Sequence, residues 1–157
     1  MLVATDHDGN LRALDWEDYE SRMYRLLRLH YGNNAVHLEP GRSKSNVRYA
    51  LEAYLSGDLE AIDTIPVKTR GTSFQKEVWA ALRTIPAGKT TSYGALATQL
   101  NRRNAVRAVG MANGANPISV VVPCHRVIGA DGSLTGYGGG LERKRWLLEH
   151  EGIVLQD

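Results

Sequence analysis

The chain has one cysteine, Cys124, and it is the residue on which covalent chemistry would be expected. It lies in the run Val122-Pro-Cys-His-Arg-Val127. An unperturbed thiol with a pKa of ~8.5 is only a few per cent thiolate at neutral pH, and an adjacent His and Arg raise that fraction. A histidine that relays protons needs a carboxylate to orient its other ring nitrogen, and Glu151 would supply one if the fold brings the two together. The plainer alternative is a cysteine that serves as a small buried hydrophobe, with a structural His125 and a solvated Glu151 near a helix end. Neighbours on a strand point to opposite faces, so Cys124 and His125 cooperate only if the chain turns there or a water bridges them. With one cysteine there is no internal disulfide and no all-cysteine metal site, and nothing asks for an oxidising compartment.

Two glycine-containing segments suggest other chemistry and do not sustain it. Ala87-Gly88-Lys89-Thr90 ends like a phosphate-binding loop, but Arg83 stands where that motif needs its first glycine. Gly136-Tyr-Gly-Gly-Gly140 lacks the spacing and the strand-then-helix context of a dinucleotide fingerprint. It reads as a loop that permits close backbone approach.

The elements that must position these residues follow from periodicity. Met1 to Thr5 and Leu11 to Trp16, joined by Asp8-Gly9, read as a β-hairpin. From Asp15 the pattern becomes helical, with Tyr19, Met23, Leu26 and Leu27 on one face and Gly32 as a stop. A second helix is expected from about Ser45 to Ser56, with Val47, Leu51, Tyr54 and Leu55 inward. Residues 58 to 71 have no sustained period and read as a linker.

Thr72-Ser-Phe-Gln75 is a capping-box pattern that opens a helix with Phe74, Val78, Leu82 and Ile85 on its stripe. Helices from about Ser92 and from Asn104 to Ala115, joined by the polar turn Asn101 to Asn104, have the shape of a helix-turn-helix. Val120 to Val122 is expected as a buried strand. A glycine-rich loop and a last helix from Leu141 follow, with Trp146, Leu147, Leu148 and the charges of Arg143, Lys144 and Arg145, and Gly152 as its stop.

The 157 residues and 43% hydrophobic content suffice for one ordinary domain or two small ones. Residues 1–65 carry 7 Lys/Arg against 11 Asp/Glu, and residues 66–157 carry 12 against 6. This asymmetry places two units at 1–65 and 66–157, the second able to approach a polyanion. No stretch has the ~18 uninterrupted apolar residues of a membrane span, and no basic-then-apolar leader opens the chain. A cytoplasmic protein without membrane association is expected.

Together these motifs resemble the O6-alkylguanine-DNA alkyltransferases, also called methylated-DNA–protein-cysteine methyltransferases. The resemblance rests on Gly71-Thr-Ser-Phe-Gln-Lys-Glu-Val-Trp79, Ile85-Pro-Ala-Gly-Lys-Thr-Thr-Ser-Tyr93, Arg107-Ala-Val-Gly110 and Asn116-Pro117. It continues through Val122-Pro-Cys-His-Arg-Val127, Leu134-Thr-Gly-Tyr137, Gly139-Gly140 and Leu147-Leu-Glu-His-Glu151. It covers about residues 71 to 152, and the front half is most similar to the bacterial, constitutively expressed branch.

The resemblance implies a fold: an α/β N-terminal domain with a small ribonuclease-H-like sheet, then a mostly α, winged-helix-like C-terminal domain with a helix-turn-helix. It also implies an activity, single-turnover transfer of an alkyl group from O6-alkylguanine in DNA to Cys124, with O4-alkylthymine as a second candidate substrate. His125 would deprotonate the thiol through a water, Glu151 would orient His125, and Asn116 would hold the turn before the active-site loop. The target base must leave the stack to reach a protein thiol. Arg107 would fill the space it vacates, Tyr93 would rotate the flanking phosphate, and Tyr137 would donate to the departing guanine oxygen.

Gly94, Arg102, Asn113, Val127 and Gly138 fall at further positions near DNA or the flipped base. Small residues at Ala108, Gly110, Ala112 and Gly114 would let their helix lie close to the minor-groove floor. No metal or cofactor is implied; the partner is double-stranded DNA containing alkylated guanine, and the protein is expected to be a monomer. The chain departs from the pattern where relatives have a strand before Met-Leu-Val-Ala, so either the N-terminal sheet is short of an edge or the start is truncated. The turn Asn101-Arg-Arg-Asn104 also lacks the expected proline.

Three rivals make different predictions. A non-catalytic lesion binder would lack the cysteine, an alkylation-sensing regulator would carry an extra DNA-binding or zinc-binding module, and a thiol hydrolase would turn over repeatedly.

Overall fold

Gly9 adopts φ 87°, a conformation open to glycine without a Cβ penalty, and its amide donates to Asp6 O at 3.0 Å. That turn folds β1 (Leu2–Thr5) antiparallel onto β2 (Leu11–Asp15), with Leu2 opposite Asp15 and Val3 opposite Leu14, and a register shift at Ala4/Thr5. The computed structural model describes residues 1–41 and 45–156.

The chain divides into two compact units, residues 1–71 with 117–121, and residues 72–116 with 122–157. The expected division at 65/66 shifts for two physical reasons. Leu11 N donates to Pro66 O and Lys68 N donates to Leu11 O, which ties residues 66–68 to β2. Farther on, Leu14 N donates to Pro117 O and Ser119 N to Leu14 O, so that segment also joins β2.

In the first unit, α1 (Glu20–Tyr31) follows one 3-10 turn at Glu17–Tyr19, and ends at Gly32, which sits at φ 92°. Its buried stripe is Met23, Leu26 and Leu27; Met23 and Leu27 pack with Ala13 of β2, and Leu2, Ala4, Tyr31 and Leu38 close over them. In α2 (Ser45–Leu55), Val47, Leu51 and Tyr54 are buried at i, i+4 and i+7. Leu55, expected inward, is 42% exposed. It lies about 80° around the helix from Val47, at the rim of the stripe and in the last turn.

The second unit opens with α3 (Ser73–Leu82). The Thr72 hydroxyl accepts from Gln75 N at 3.1 Å and the Gln75 side chain accepts from Thr72 N at 3.0 Å, which completes the capping box. Val78, Trp79 and Leu82 are buried, and the Trp79 indole N–H donates to Ala112 O at 2.9 Å. Then come β3 (Thr91–Ser92), α4 (Tyr93–Gln99) capped by the Ser92 hydroxyl, and α5 (Val106–Gly114). The short β4 (Val127–Ile128) pairs parallel with β3, and α6 (Leu141–His150) closes the unit.

The expected strand at Val120–Val122 is absent. All three valines are buried, yet Val120 sits at φ 70° and Val121 N bonds back to Ser119 O at 2.8 Å, a γ-turn in place of extended backbone. Of this segment, Ile118 alone makes a bridge, parallel to Leu14. Among the described residues no helix is long and apolar enough to cross a membrane.

Candidate active site

The residues around Cys124 depend on a second tight turn. Pro123 has φ −83° and ψ 65°, and Cys124 N donates to Val122 O at 2.8 Å, the geometry of an inverse γ-turn. Asn116, fully buried, donates from Nδ2 to the same Val122 carbonyl at 2.8 Å and so fixes the turn from the side. Cys124–Arg126 then form one 3-10 turn. Cys124 and His125 therefore do not alternate across a strand. Asn113, 5% exposed, reaches from α5 to Cys124 O at 3.4 Å.

His125 and Glu151 are both buried, and His125 Nε2 lies 2.9 Å from Glu151 Oε1. Arg126 donates to the same carboxylate twice, from Nε to Oε2 at 2.9 Å and from Nη2 to Oε1 at 2.8 Å, and from Nη1 to Ile85 O at 2.5 Å. Glu151 stands just past the end of α6, its amide bonded to Leu147 O at 3.0 Å. The loop after α3 packs against its backbone: a Cβ on Gly88, which sits at φ 78°, would lie 3.2 Å from Glu151 O.

The charges follow from this geometry. Burial pushes the Glu151 carboxyl up, but the hydrogen bonds and charges of His125 and Arg126 outweigh it and hold the group at about 2. Burial pushes His125 below its ordinary value; Glu151 opposes this, while the positive charges of Arg126 and Lys144 reinforce it. At neutral pH the set is therefore a carboxylate beside a neutral imidazole. The carboxylate accepts the Nε2 proton, so the lone pair is on Nδ1. His125 Nδ1 is buried and hydrogen-bonds to no described group. The arrangement can present a base beside a thiol.

The residues expected on the DNA side occupy the neighbouring elements. Tyr93 begins α4, its hydroxyl donating to Thr135 O at 2.9 Å, and a Cβ on Gly110 of α5 would lie 3.8 Å from its ring. Arg107 is exposed on α5. Gly94 and Gly138 are half-buried, Tyr137 keeps its hydroxyl oxygen buried, and Val127 is fully buried. Arg102 is held at α3, its guanidinium 5.4 Å from the Phe74 ring centroid and 3.3 Å from Glu77 Oε2.

A model of the family described as 6-O-methylguanine DNA methyltransferase, DNA binding domain, matches residues 73–153. A methylated-DNA–protein-cysteine methyltransferase of Shigella flexneri is 52% identical over 155 residues, which span 99% of this chain and 91% of that protein. The chain belongs to this family. Its solved relatives include Mycobacterium tuberculosis OGT in complex with DNA, with 45% identity, a TM-score of 0.77, and coverage of 95% of this chain and 84% of that one. Another is the O6-methylguanine-DNA methyltransferase of Pyrococcus kodakaraensis, with 28% identity, a TM-score of 0.74, and coverage of 96% and 89%.

In this methyltransferase-family chain, two residues beside the site escape sequence reasoning. Arg126 reads as part of the Cys-His-Arg motif, but nothing in the motif says that it clamps Glu151. Lys144, between Arg143 and Arg145, reads as a solvated helix charge and is in fact fully buried. Its Nζ donates to Val127 O at 2.6 Å, Thr135 O at 2.9 Å and Gly136 O at 3.2 Å. Burial lowers its pKa to about 8, against the attraction of Cys124, so three N–H groups meet three carbonyls at neutral pH. This ammonium ties the strand after the cysteine to the loop that carries Tyr137.

Proposed function

We propose that this chain repairs alkylated guanine in DNA by direct reversal, moving the alkyl group from guanine O6 to Cys124 once per protein molecule. The observation that carries the reading is the His125–Glu151 contact at 2.9 Å, both side chains buried, in a chain of this family. The Cys124 proton passes toward His125 Nδ1, whose partner nitrogen is held by Glu151. The thiolate attacks the alkyl carbon in line; a carbon–sulfur bond forms, the carbon–O6 bond breaks, and its electron pair leaves with guanine. Tyr137 donates to that oxygen as it departs. The thioether has no route back to a thiol, so the reaction ends there. O4-alkylthymine offers the same bond to break.

The partner is duplex DNA, approached through the minor groove by α4, the turn after it and α5 as a helix-turn-helix, in a winged-helix-like second domain. The first unit is read as ribonuclease-H-like. Arg107 occupies the stack vacated by the flipped base, Tyr93 rotates the flanking phosphate, and Asn116 holds the turn before Cys124. Gly94 and Gly138 line the DNA or the base, Asn113 and Val127, both buried, back the loop that carries Cys124, and the contacts of Arg102 with Phe74 and Glu77 compete with a phosphate for its guanidinium. The protein acts as a cytoplasmic monomer.

Intact mass spectrometry after incubation with a duplex containing one O6-methylguanine tests the reading. One added CH2, about 14 Da, mapped to Cys124 is the expected result. Bound DNA with unmodified protein would instead mark a lesion-binding protein, and repaired DNA with unmodified protein would mark a turning-over enzyme.

A further inference from the structure

The inner side of α5 is accounted for. Val109, Ala112 and Asn113 are buried, and the Ala112 carbonyl receives the Trp79 indole. The outer side carries Val106, Arg107, Ala108, Met111 and Gly114, all exposed. It holds one positive charge and no carboxylate. Its residues are small or modest in size except Arg107 and Met111, and Met111 is 72% exposed. Those two stand at i and i+4, on one face and about 6 Å apart along the axis. A stripe of small residues alone would make a smooth face for a groove floor, and Met111 interrupts it.

We propose that Met111 is a second minor-groove wedge of this chain, set one helical turn beyond Arg107. The inference rests on the repair reading above. The occupant of this face is duplex DNA, for two reasons. The face is cationic without an opposing carboxylate, which suits a polyanion, and it is continuous with Arg107. The minor groove is about 6 Å wide, with walls of sugar and a floor of base edges. An unbranched thioether with three rotatable bonds conforms to such a slot better than a branched side chain. Proteins of the minor groove insert apolar side chains, methionine among them, against base steps to unstack and bend the duplex. A 6 Å offset corresponds to nearly two base-pair steps at 3.4 Å each, so Met111 bears on DNA beside the step that Arg107 opens. The wedge lowers the work of extruding the base and acts only on duplex substrates.

The test compares the wild-type chain with Met111→Ala, which keeps a strong helix former on an exposed face and should leave Tm unchanged. Two quantities are read: the ratio of the transfer rate from duplex O6-methylguanine to that from free O6-benzylguanine, and the bend of a short lesion duplex by end-to-end fluorescence energy transfer. The expected result is a roughly tenfold fall in the ratio and a smaller bend, with Met111→Leu recovering part of both. An unchanged ratio and bend, or a ratio that rises because the smaller residue lets the helix sit closer, overturns the wedge. If the wild-type chain transfers nothing from duplex to Cys124, the repair reading falls; if it transfers normally and Met111→Ala matches it, this inference alone falls.

Discussion

The Arg12–Asp6 pair of the first unit and the network beside Cys124 in the second treat their charges in opposite ways. In the first, Arg12 bonds Asp6 at 2.8 Å with both side chains partly in water, at 23% and 21% exposure, and also reaches the Tyr31 hydroxyl at 2.9 Å. In the second, His125, Arg126 and Glu151 form one network with side-chain exposures of 0%, 3% and 0%, and Lys144 lies fully buried beside them. Pairs of the first kind contribute little and cost little. Networks of the second kind lose several kcal/mol of solvation per ion, and an apolar replacement is often no less stable. Stability is therefore a poor explanation for the second network, whereas holding an imidazole neutral and oriented beside a thiol is a good one.

Cys124→Ala gives the largest effect. All alkyl transfer should vanish while lesion DNA still binds, as read by mass spectrometry and gel shift; any residual protein alkylation would remove Cys124 as the acceptor. Glu151→Gln comes next. It keeps the shape but loses the charge that fixes the His125 tautomer, so transfer should slow by about 10–100-fold.

Glu151 also predicts two pH profiles. His125 lies below its ordinary 6.5, so wild-type transfer should hold as pH falls through that value and drop only below it. The Glu151 carboxyl lies at about 2, below its ordinary 4.5. A depressed carboxyl contributes stability that is complete above pH 4.5 and is lost as the pH falls toward 2, up to about 3 kcal/mol. Denaturant melts from pH 6 to 2 should show that loss in the wild type and a flatter curve in Glu151→Gln.

Lys144→Met separates scaffold from chemistry within the buried network. It leaves three carbonyls without their donor, at a cost of roughly 2–4 kcal/mol, and frees the loop that carries Thr135 and Gly136. Tm should fall, transfer should drop about tenfold, and hydrogen exchange should rise in residues 133–138. Unaltered exchange there would mean that the loop does not depend on this ammonium.

Legibility in the sequence follows the same division. The hairpin, the capping box, the stop at Gly32 and the two helices around Asn101–Asn104 are local signals, and the structure has them. Three β-branched residues at 120–122 also signal a strand, yet Val120 is held at positive φ because Ser119 N is taken by β2 while Asn116 grips Val122. That conflict between propensity and tertiary bonds occurs four residues before the cysteine, beside the candidate site, where local strain is most often retained. Cys124, His125 and Glu151 could be named from residue type and motif. Lys144 could not, because a lysine between two arginines is indistinguishable from a solvated one until the carbonyls that surround it are known.

Asp6→Ala should have the smallest effect and sharpens the contrast most. The Asp6 carboxylate accepts from Arg12 at 2.8 Å and from the Asn10 amide at 2.9 Å, and the Arg12 hydrogen bond in particular holds its pKa well below the usual carboxylate range. Judged by a lowered pKa alone, this group would stand beside Glu151 as a functional candidate. It is nevertheless partly in water, and its partner is an arginine that stays charged in any state. Its shift reports a turn closed by side-chain hydrogen bonds and no chemistry. The substitution should lower Tm by less than about 4 °C and leave the transfer rate from duplex DNA at the wild-type value. A loss of transfer comparable to that in Glu151→Gln would mean that the first unit takes part in the reaction, and the division between a stabilising surface pair and a chemical buried network would fail.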